Sequence, residues 1–324
     1  MKPLTLLLTA SLIASSAHAA DTVTAVSTDH ATPPRWSTLG PSARVDKVAS
    51  APILAATKAG NRTVAVGDHG VILLSDDGVH FRQAKTVPYR SLLTTVQLVD
   101  AQRGYAGGHD GVLLGTKDGG ETWVLLRSTP GVEKPVMSLH FDSAEHGFAV
   151  GLYGWAVETS DGGKTWTDVH VGDDKNGDRH LFHLFISLKG TWLIAGEQGT
   201  VFRSADSGKT WQGLNTGDQG SLWNGLALTD GTLLVCGMRG HIYRSTDDGL
   251  TWQAVASDTT QSLTGIAQMP DGSIVIVGLD GGVLSSKDHG ATFTLAQREQ
   301  GEPLTDVLAN GAKPLLFSMI GPLP

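Results

Sequence analysis

A motif that returns every 40-odd residues constrains this chain more than any single segment does. TKDGGETW (116–123) and TSDGGKTW (159–166) are near copies, and SADSGKTW (204–211), STDDGLTW (245–252), SKDHGATF (286–293) and LSDDGVHF (74–81) follow the same pattern. Their third-position aspartates are Asp76, Asp118, Asp161, Asp206, Asp247 and Asp288, 41 to 45 residues apart. Upstream of each box runs an apolar stretch, a G-x-x-G turn and a second apolar stretch, as in VAVGDHGVILL, YAGGHDGVLL, FAVGLYGWAV, LIAGEQGTVF, LVCGMRGHIY and IVIVGLDGGVL. Two strands joined by a tight glycine turn are the simplest reading, and one more apolar stretch on either side makes four strands per unit.

A four-stranded sheet that is apolar on both faces buries neither until neighbours stack on it, so units of this length predict the blades of an all-β propeller. Within the box, the aspartate is placed to accept backbone N–H groups of its own loop, the fifth-position glycine to take a positive φ, and the threonine to satisfy a further loop group. Trp123, Trp166, Trp211 and Trp252, with Phe81 and Phe293 in the same slot, are expected to wedge between adjacent blades. These residues are therefore read as architecture, with a metal- or sugar-binding aspartate ring as the alternative.

The chain has room for seven blades but shows six boxes. Leu304 to Leu308 and PLLFSMIG (314–321) repeat the first two strands of a unit. Thr22 to Val26, STDHATPPRW (27–36) and Ser37-Thr38-Leu39 resemble a degraded third strand, box and fourth strand. The expectation is a seven-bladed ring closed by pairing of N- and C-terminal strands, which removes a sheet edge; six blades with an N-terminal linker is the alternative.

Lys2, the apolar run Leu4 to Ile13 and Ala17-His18-Ala19 read as a secretory signal, giving a leader over 1–20, one propeller domain over 21–324, and a periplasmic or secreted protein. The apolar run is too short to span a bilayer. Cys236 is the only cysteine, which excludes a disulfide scaffold. A formal charge of −8 argues against wholesale phosphate-backbone binding, and hence against nucleic acid as a partner.

The six S/T-x-D-x-G-x-T-W boxes resemble the Asp-box repeat of sialidases, sortilin-type receptors and photosystem II stability/assembly factor-like propellers. SLHFDSAEHGFAVGLYGWAVETSDGGKTW, ending at Trp166, and LVDAQRGYAGGHDGVLLGTKDGGETW, ending at Trp123, are most similar to the assembly-factor group. That resemblance implies a non-enzymatic seven-bladed propeller without cofactor, acting as an exported protein-interaction scaffold. Its implied partner is a membrane complex or transporter component, with the propeller peripheral to the membrane at most. The alternative is an Asp-box glycoside hydrolase or carbohydrate-binding propeller. A sialidase needs an arginine triad, a tyrosine–glutamate pair and an R-I-P motif; R-I-P is absent, and the tyrosines are only Tyr89, Tyr105, Tyr153 and Tyr243.

Recognition is expected on the face opposite the boxes, because the G-x-x-G turns differ from unit to unit while the boxes do not. Tyr153, Trp155, Arg239, Trp223 and His180 are the foremost candidates for partner contacts, followed by His69 and His109. His69 and His109, beside Asp68 and Asp110, raise a metal alternative, although short surface turns commonly carry His and Asp without a ligand. DDKNGD (173–178) is Asp-rich but lacks the spacing of a calcium loop. No metal is expected.

Overall fold

The computed structural model describes residues 40–172 and 176–323 of the 324. The leader, the N-terminal stretch through Trp36 to Leu39 that was expected to complete the ring, and the first half of the Asp-rich loop lie outside the described residues. Seven antiparallel sheets follow one another along the chain, each with its strands in sequence order. Blade 1 holds β1 (Ile53–Ala59), β2 (Arg62–Gly67), β3 (Ile72–Ser75) and β4 (Arg82–Gln83), and blade 2 holds β5 (Leu93–Leu98), β6 (Gly104–Gly108), β7 (Leu113–Thr116) and β8 (Val124–Arg127). Blade 3 holds β9 (Val136–Phe141), β10 (Gly147–Gly151), β11 (Trp155–Thr159) and β12 (Thr167–His170), and blade 4 holds β13 (Leu181–Ile186), β14 (Trp192–Gly196), β15 (Thr200–Ser204) and β16 (Gln212–Asn215). Blade 5 holds β17 (Leu222–Ala227), β18 (Leu233–Gly237), β19 (Ile242–Ser245) and β20 (Gln253–Val255), and blade 6 holds β21 (Leu263–Gln268), β22 (Ile274–Gly278), β23 (Gly282–Ser286) and β24 (Thr294–Gln297). Blade 7 contains β25 (Leu304–Asn310), β26 (Lys313–Ser318) and β27 (Gly321–Leu323).

The innermost strands β1, β5, β9, β13, β17, β21 and β25 touch in that order, and β25 returns to β1, so the ring is closed and seven-bladed. Thr305 Oγ1 donates to Ile53 O at 2.7 Å and Lys58 Nζ to Asn310 Oδ1 at 2.6 Å, while Phe81 meets Phe317 edge-on at 6.2 Å. Among the described residues, closure rests on these contacts between blades 7 and 1. The C-terminus supplies three strands of blade 7 where two were expected: β27 occupies the third place that the sequence assigned to Thr22 to Val26.

The second strand of each blade is buried along most of its length because both its faces are covered by neighbouring blades. LLVCG of β18 is buried throughout, and Cys236 within it is fully enclosed, its thiol pushed up to about 12 by desolvation. The core is divided accordingly into seven apolar clusters, each shared by two adjacent blades. Each box aromatic packs back onto the preceding blade: Trp123 lies with Val64 and Leu74, Trp166 with Tyr105 and Leu126, Trp211 with Phe148, Trp252 with Leu193, and Phe293 with Leu234. No helix among the described residues is long and apolar enough to cross a membrane.

Candidate functional site

The two ends of the ring are built from different chemistry. On the box side, Asp118 Oδ1 accepts from Thr122 N at 2.9 Å and from Thr116 Oγ1 at 2.8 Å, and Oδ2 accepts from Thr122 Oγ1 at 2.6 Å. Gly120 N donates to Thr116 Oγ1, and Trp123 Nε1 to Gly120 O, so loop and indole are locked together. Asp161, Asp206, Asp247 and Asp288 repeat the arrangement. Hydrogen bonds from the backbone and hydroxyl of Thr165 hold Asp161 down to about 2, and those of Thr210 do the same for Asp206.

In blade 1 the structure corrects the box. Ser75 Oγ bonds Asp77 Oδ1 at 3.0 Å, Gly78 N donates to Ser75 Oγ, and His80 N and Nδ1 both reach the Asp77 carboxylate. Asp77 is therefore the box aspartate in a loop one residue shorter, and a histidine stands in for the threonine. Asp76, expected in that role, points away and pairs with Arg62 at 2.7 Å.

On the opposite side, the G-x-x-G segments of blades 1 to 5 form tight turns with two consecutive left-handed residues. His69, Asp110, Tyr153, Gln198 and Arg239 occupy the first of them with φ between 54° and 58°, each followed by glycine. Two-residue turns of this hand match the twist of the strands they join, and the glycine is demanded by crowding as well as by φ: at Gly240 a Cβ would meet Thr259 O at 2.1 Å. A tyrosine in this region is strained. Tyr153 is nonetheless held there, its N–H donating to His180 Nδ1 at 3.0 Å and its ring edge-on to the imidazole at 4.6 Å, with 60% of its surface exposed.

His180 is thus a positioning group for Tyr153, and it also lies near Phe182, 6.0 Å between rings. Arg239 sits exposed on the turn of blade 5 and lines a cavity of about 690 Å³ with His241, Tyr243 and Thr259. His69 turns back to Asp68 at 2.8 Å, and His109 faces the ring axis. Trp155 departs from expectation. It is 7% exposed, enclosed between blades 2 and 3 with the Arg127 guanidinium 5.2 Å from its ring, and cannot serve as a surface anchor. Among the described residues no group of three His, Cys, Asp or Glu side chains is placed to hold a metal.

Along the ring axis lies a funnel of about 800 Å³, lined by the innermost strands and, at its mouth, by the turn residues His109, Met238, Leu279 and Met319. Its shape comes from a bulge at the second residue of all seven innermost strands, namely Leu54, Thr94, Met137, Phe182, Trp223, Thr264 and Thr305. Where that residue is threonine, its hydroxyl staples the next blade: Thr94 Oγ1 donates to Val136 O, Thr264 Oγ1 to Leu304 O at 2.9 Å, and Thr305 Oγ1 to Ile53 O. Met137, Phe182 and Trp223, on three consecutive blades, have no hydroxyl and instead present half-buried apolar surface to the funnel. Of the residues singled out from sequence, Trp223 and His109 converge here. Met137 and Phe182 were missed because an apolar residue within an apolar strand carries no signal alone, and Asp306 because its place beside the axis depends on how blade 7 packs. Aligning the second residue of each innermost strand would have revealed threonine at three of the seven places and large apolar groups at the other four.

This architecture can be set against known proteins. A family model described as photosynthesis system II assembly factor YCF48 matches residues 129–302, more than half of the chain. The chain belongs to the YCF48 family. A solved structure described as "YCF48 bound to D1 peptide" superposes with a TM-score of 0.69 at 18% identity, covering 86% of this chain and 94% of that one. YCF48 from Cyanidioschyzon merolae gives a TM-score of 0.63 at 14% identity, covering 88% and 97%. The propeller is shared more widely, since an ancestral GH74 enzyme reaches 0.63 at 13% identity, covering 81% of this chain and 40% of that one. No curated protein matches the sequence. At these identities the solved structures establish the fold, and the family match places this YCF48-family chain among assembly-factor propellers.

Proposed function

We propose that this chain is a non-enzymatic protein-interaction propeller, exported to the periplasm or secreted, that engages a segment of a membrane-protein partner on its turn face. The observation that carries this reading is the asymmetry of the two faces. The box carboxylates are consumed by their own loops, whereas the turns differ from blade to blade and surround an apolar funnel with methionine and aromatic walls, adaptable surface of the kind that anchors a partner. The family match and the relative bound to a D1 peptide support a peptide from a membrane protein as the class of partner. A glycosidase needs two facing carboxylates, and the funnel lining contains one, which supports binding over hydrolysis.

The test is site-specific photocrosslinking in the native envelope. A photoreactive residue at position 153 or 319, on the turn face, should crosslink to a membrane protein, and the same group at 164 or 209, on the box loops, should not. The joint variant Tyr153→Ala, Trp223→Ala should lose the crosslink made from 319. Crosslinks from the box loops only, or turnover of a glycan by the purified protein, would overturn the reading. Export is checked by sequencing the mature N-terminus, expected at Asp21.

A further inference from the structure

We propose that the axial funnel receives a basic side chain of the partner peptide, a lysine or arginine between apolar neighbours, with Asp306 as its counter-charge. This rests on the peptide-binding reading above and names the chemistry the funnel would select. Among the residues that line the funnel, Asp306 is the sole acid, and no lysine or arginine is present. Its two other titratable side chains are His109 at the mouth and His183, which burial holds at about 4 and therefore neutral.

Asp306 is fixed in place. Its Oδ2 accepts from Ala56 N and its Oδ1 from Val307 N, both at 2.8 Å, leaving each oxygen a further acceptor site. On the blade 6 side, a Cβ on Gly265 would come within 2.8 Å of Asp306 Cα, so only bare backbone lies there. The strands packed against β25 are β1, β21, β22 and β26, and they bring only two titratable groups, Lys58 and Lys313. Both are at the far end: Lys58 donates to Asn310, and Lys313 is paired with Asn310 in register. Asp306 makes no salt bridge among the described residues.

The fold does not require a charge at this place. In blade 3 the equivalent residue is Ser138, whose Oγ accepts from Leu184 N at 3.1 Å and joins blade 3 to blade 4 as Asp306 joins blade 7 to blade 1. A serine suffices for the staple, yet blade 7 carries a carboxylate that desolvation pushes up to about 7. A half-buried carboxylate without a counter-charge is a strong attractor for a cation in a site of low polarity. Elsewhere on the funnel wall, on blades 3 to 5, Met137, Phe182 and Trp223 can cover the aliphatic stem of a long basic side chain, and the aromatic rings can face its cationic head.

The experiment measures binding of three capped peptides, Ac-Ser-Leu-Lys-Leu-Ser-NH2 and its counterparts with norleucine or glutamate at the centre, to the full mature chain by calorimetry. At pH 8 the lysine peptide should bind at least about tenfold more tightly than the norleucine one, with the glutamate peptide weakest. The preference should shrink as the pH is lowered through 7 and Asp306 takes up a proton. Asp306→Asn should abolish the preference, and Asp306→Ser, which keeps the staple as blade 3 does, guards against loss through misfolding. Equal binding of the lysine and norleucine peptides, lost on Trp223→Ala, would overturn the basic-anchor inference and leave the interaction reading standing. If none of the three binds while the crosslinks from position 153 persist, the inference also falls alone. If those crosslinks fail too, both fall.

Discussion

At the scale of single residues, the same side-chain type does opposite work according to how many donors reach it. Asp206 receives the backbone N–H and hydroxyl of Thr210 and the hydroxyl of Ser204, which holds it at about 2. Asp306 receives two backbone N–H groups but lies half-buried in the apolar funnel, and desolvation wins, carrying it up to about 7. For Asp206 the folded value lies below the unfolded one of 3.8, so its contribution to stability is present above pH 4 and is lost as pH falls toward 2. We expect Asp206→Ala to lower the urea midpoint at pH 7 and the gap to wild type to close between about pH 4 and 2, checked by denaturation across that range. The box was legible in sequence because all its partners lie within a few residues of one another. The blade 1 exception, with Asp77 in place of Asp76, escaped because a loop shortened by one residue shifts the count while keeping the hydrogen bonds.

At the scale of elements, the turns between second and third strands combine strain with exposure. A left-handed conformation costs a non-glycine residue roughly 1–2 kcal/mol, more for a β-branched one. Tyr153→Gly should accordingly leave stability within about 1 kcal/mol of wild type, while Tyr153→Val should fall roughly 1–2 kcal/mol below the glycine variant; both should lose partner crosslinking from position 319. Thermal melts set beside the crosslinking yield separate the two effects. A glycine variant that melts far below wild type would mean that the Tyr153–His180 contact is structural. The G-x-x-G pattern announced a turn, but not that its third residue would be left-handed in blades 1 to 5, nor that Trp155, two residues beyond Tyr153, would be enclosed under Arg127. Exposure depends on the neighbouring blade, which is more than 25 residues away in sequence.

At the scale of the whole molecule, stability is shared around a ring. Every blade contributes one wall to two apolar clusters, so no blade is finished until the last has docked on the first. Ending the chain at residue 303 would remove β25 to β27 and expose both the cluster containing Ile53, Leu73 and Phe317 and the one containing Val277, Leu304 and Leu316. We expect such a truncation to lose cooperative unfolding and to bind a hydrophobic dye in the absence of denaturant. A sharp transition near that of the full chain would show that six blades close alone. What the sequence by itself determined is the unit: its period, its four-strand plan, the box that rigidifies one turn, and a capacity for seven copies. All of these are written in residues close together along the chain. What only the tertiary structure decided is the axis, where the second and third residues of seven strands, some 40 positions apart, meet to set Trp223, Phe182 and Met137 around a funnel with one acid, Asp306. Convergence of that kind depends on the angle at which blades pack, and no local pattern of hydrophobicity or turn chemistry encodes which side chains will face one another across a ring.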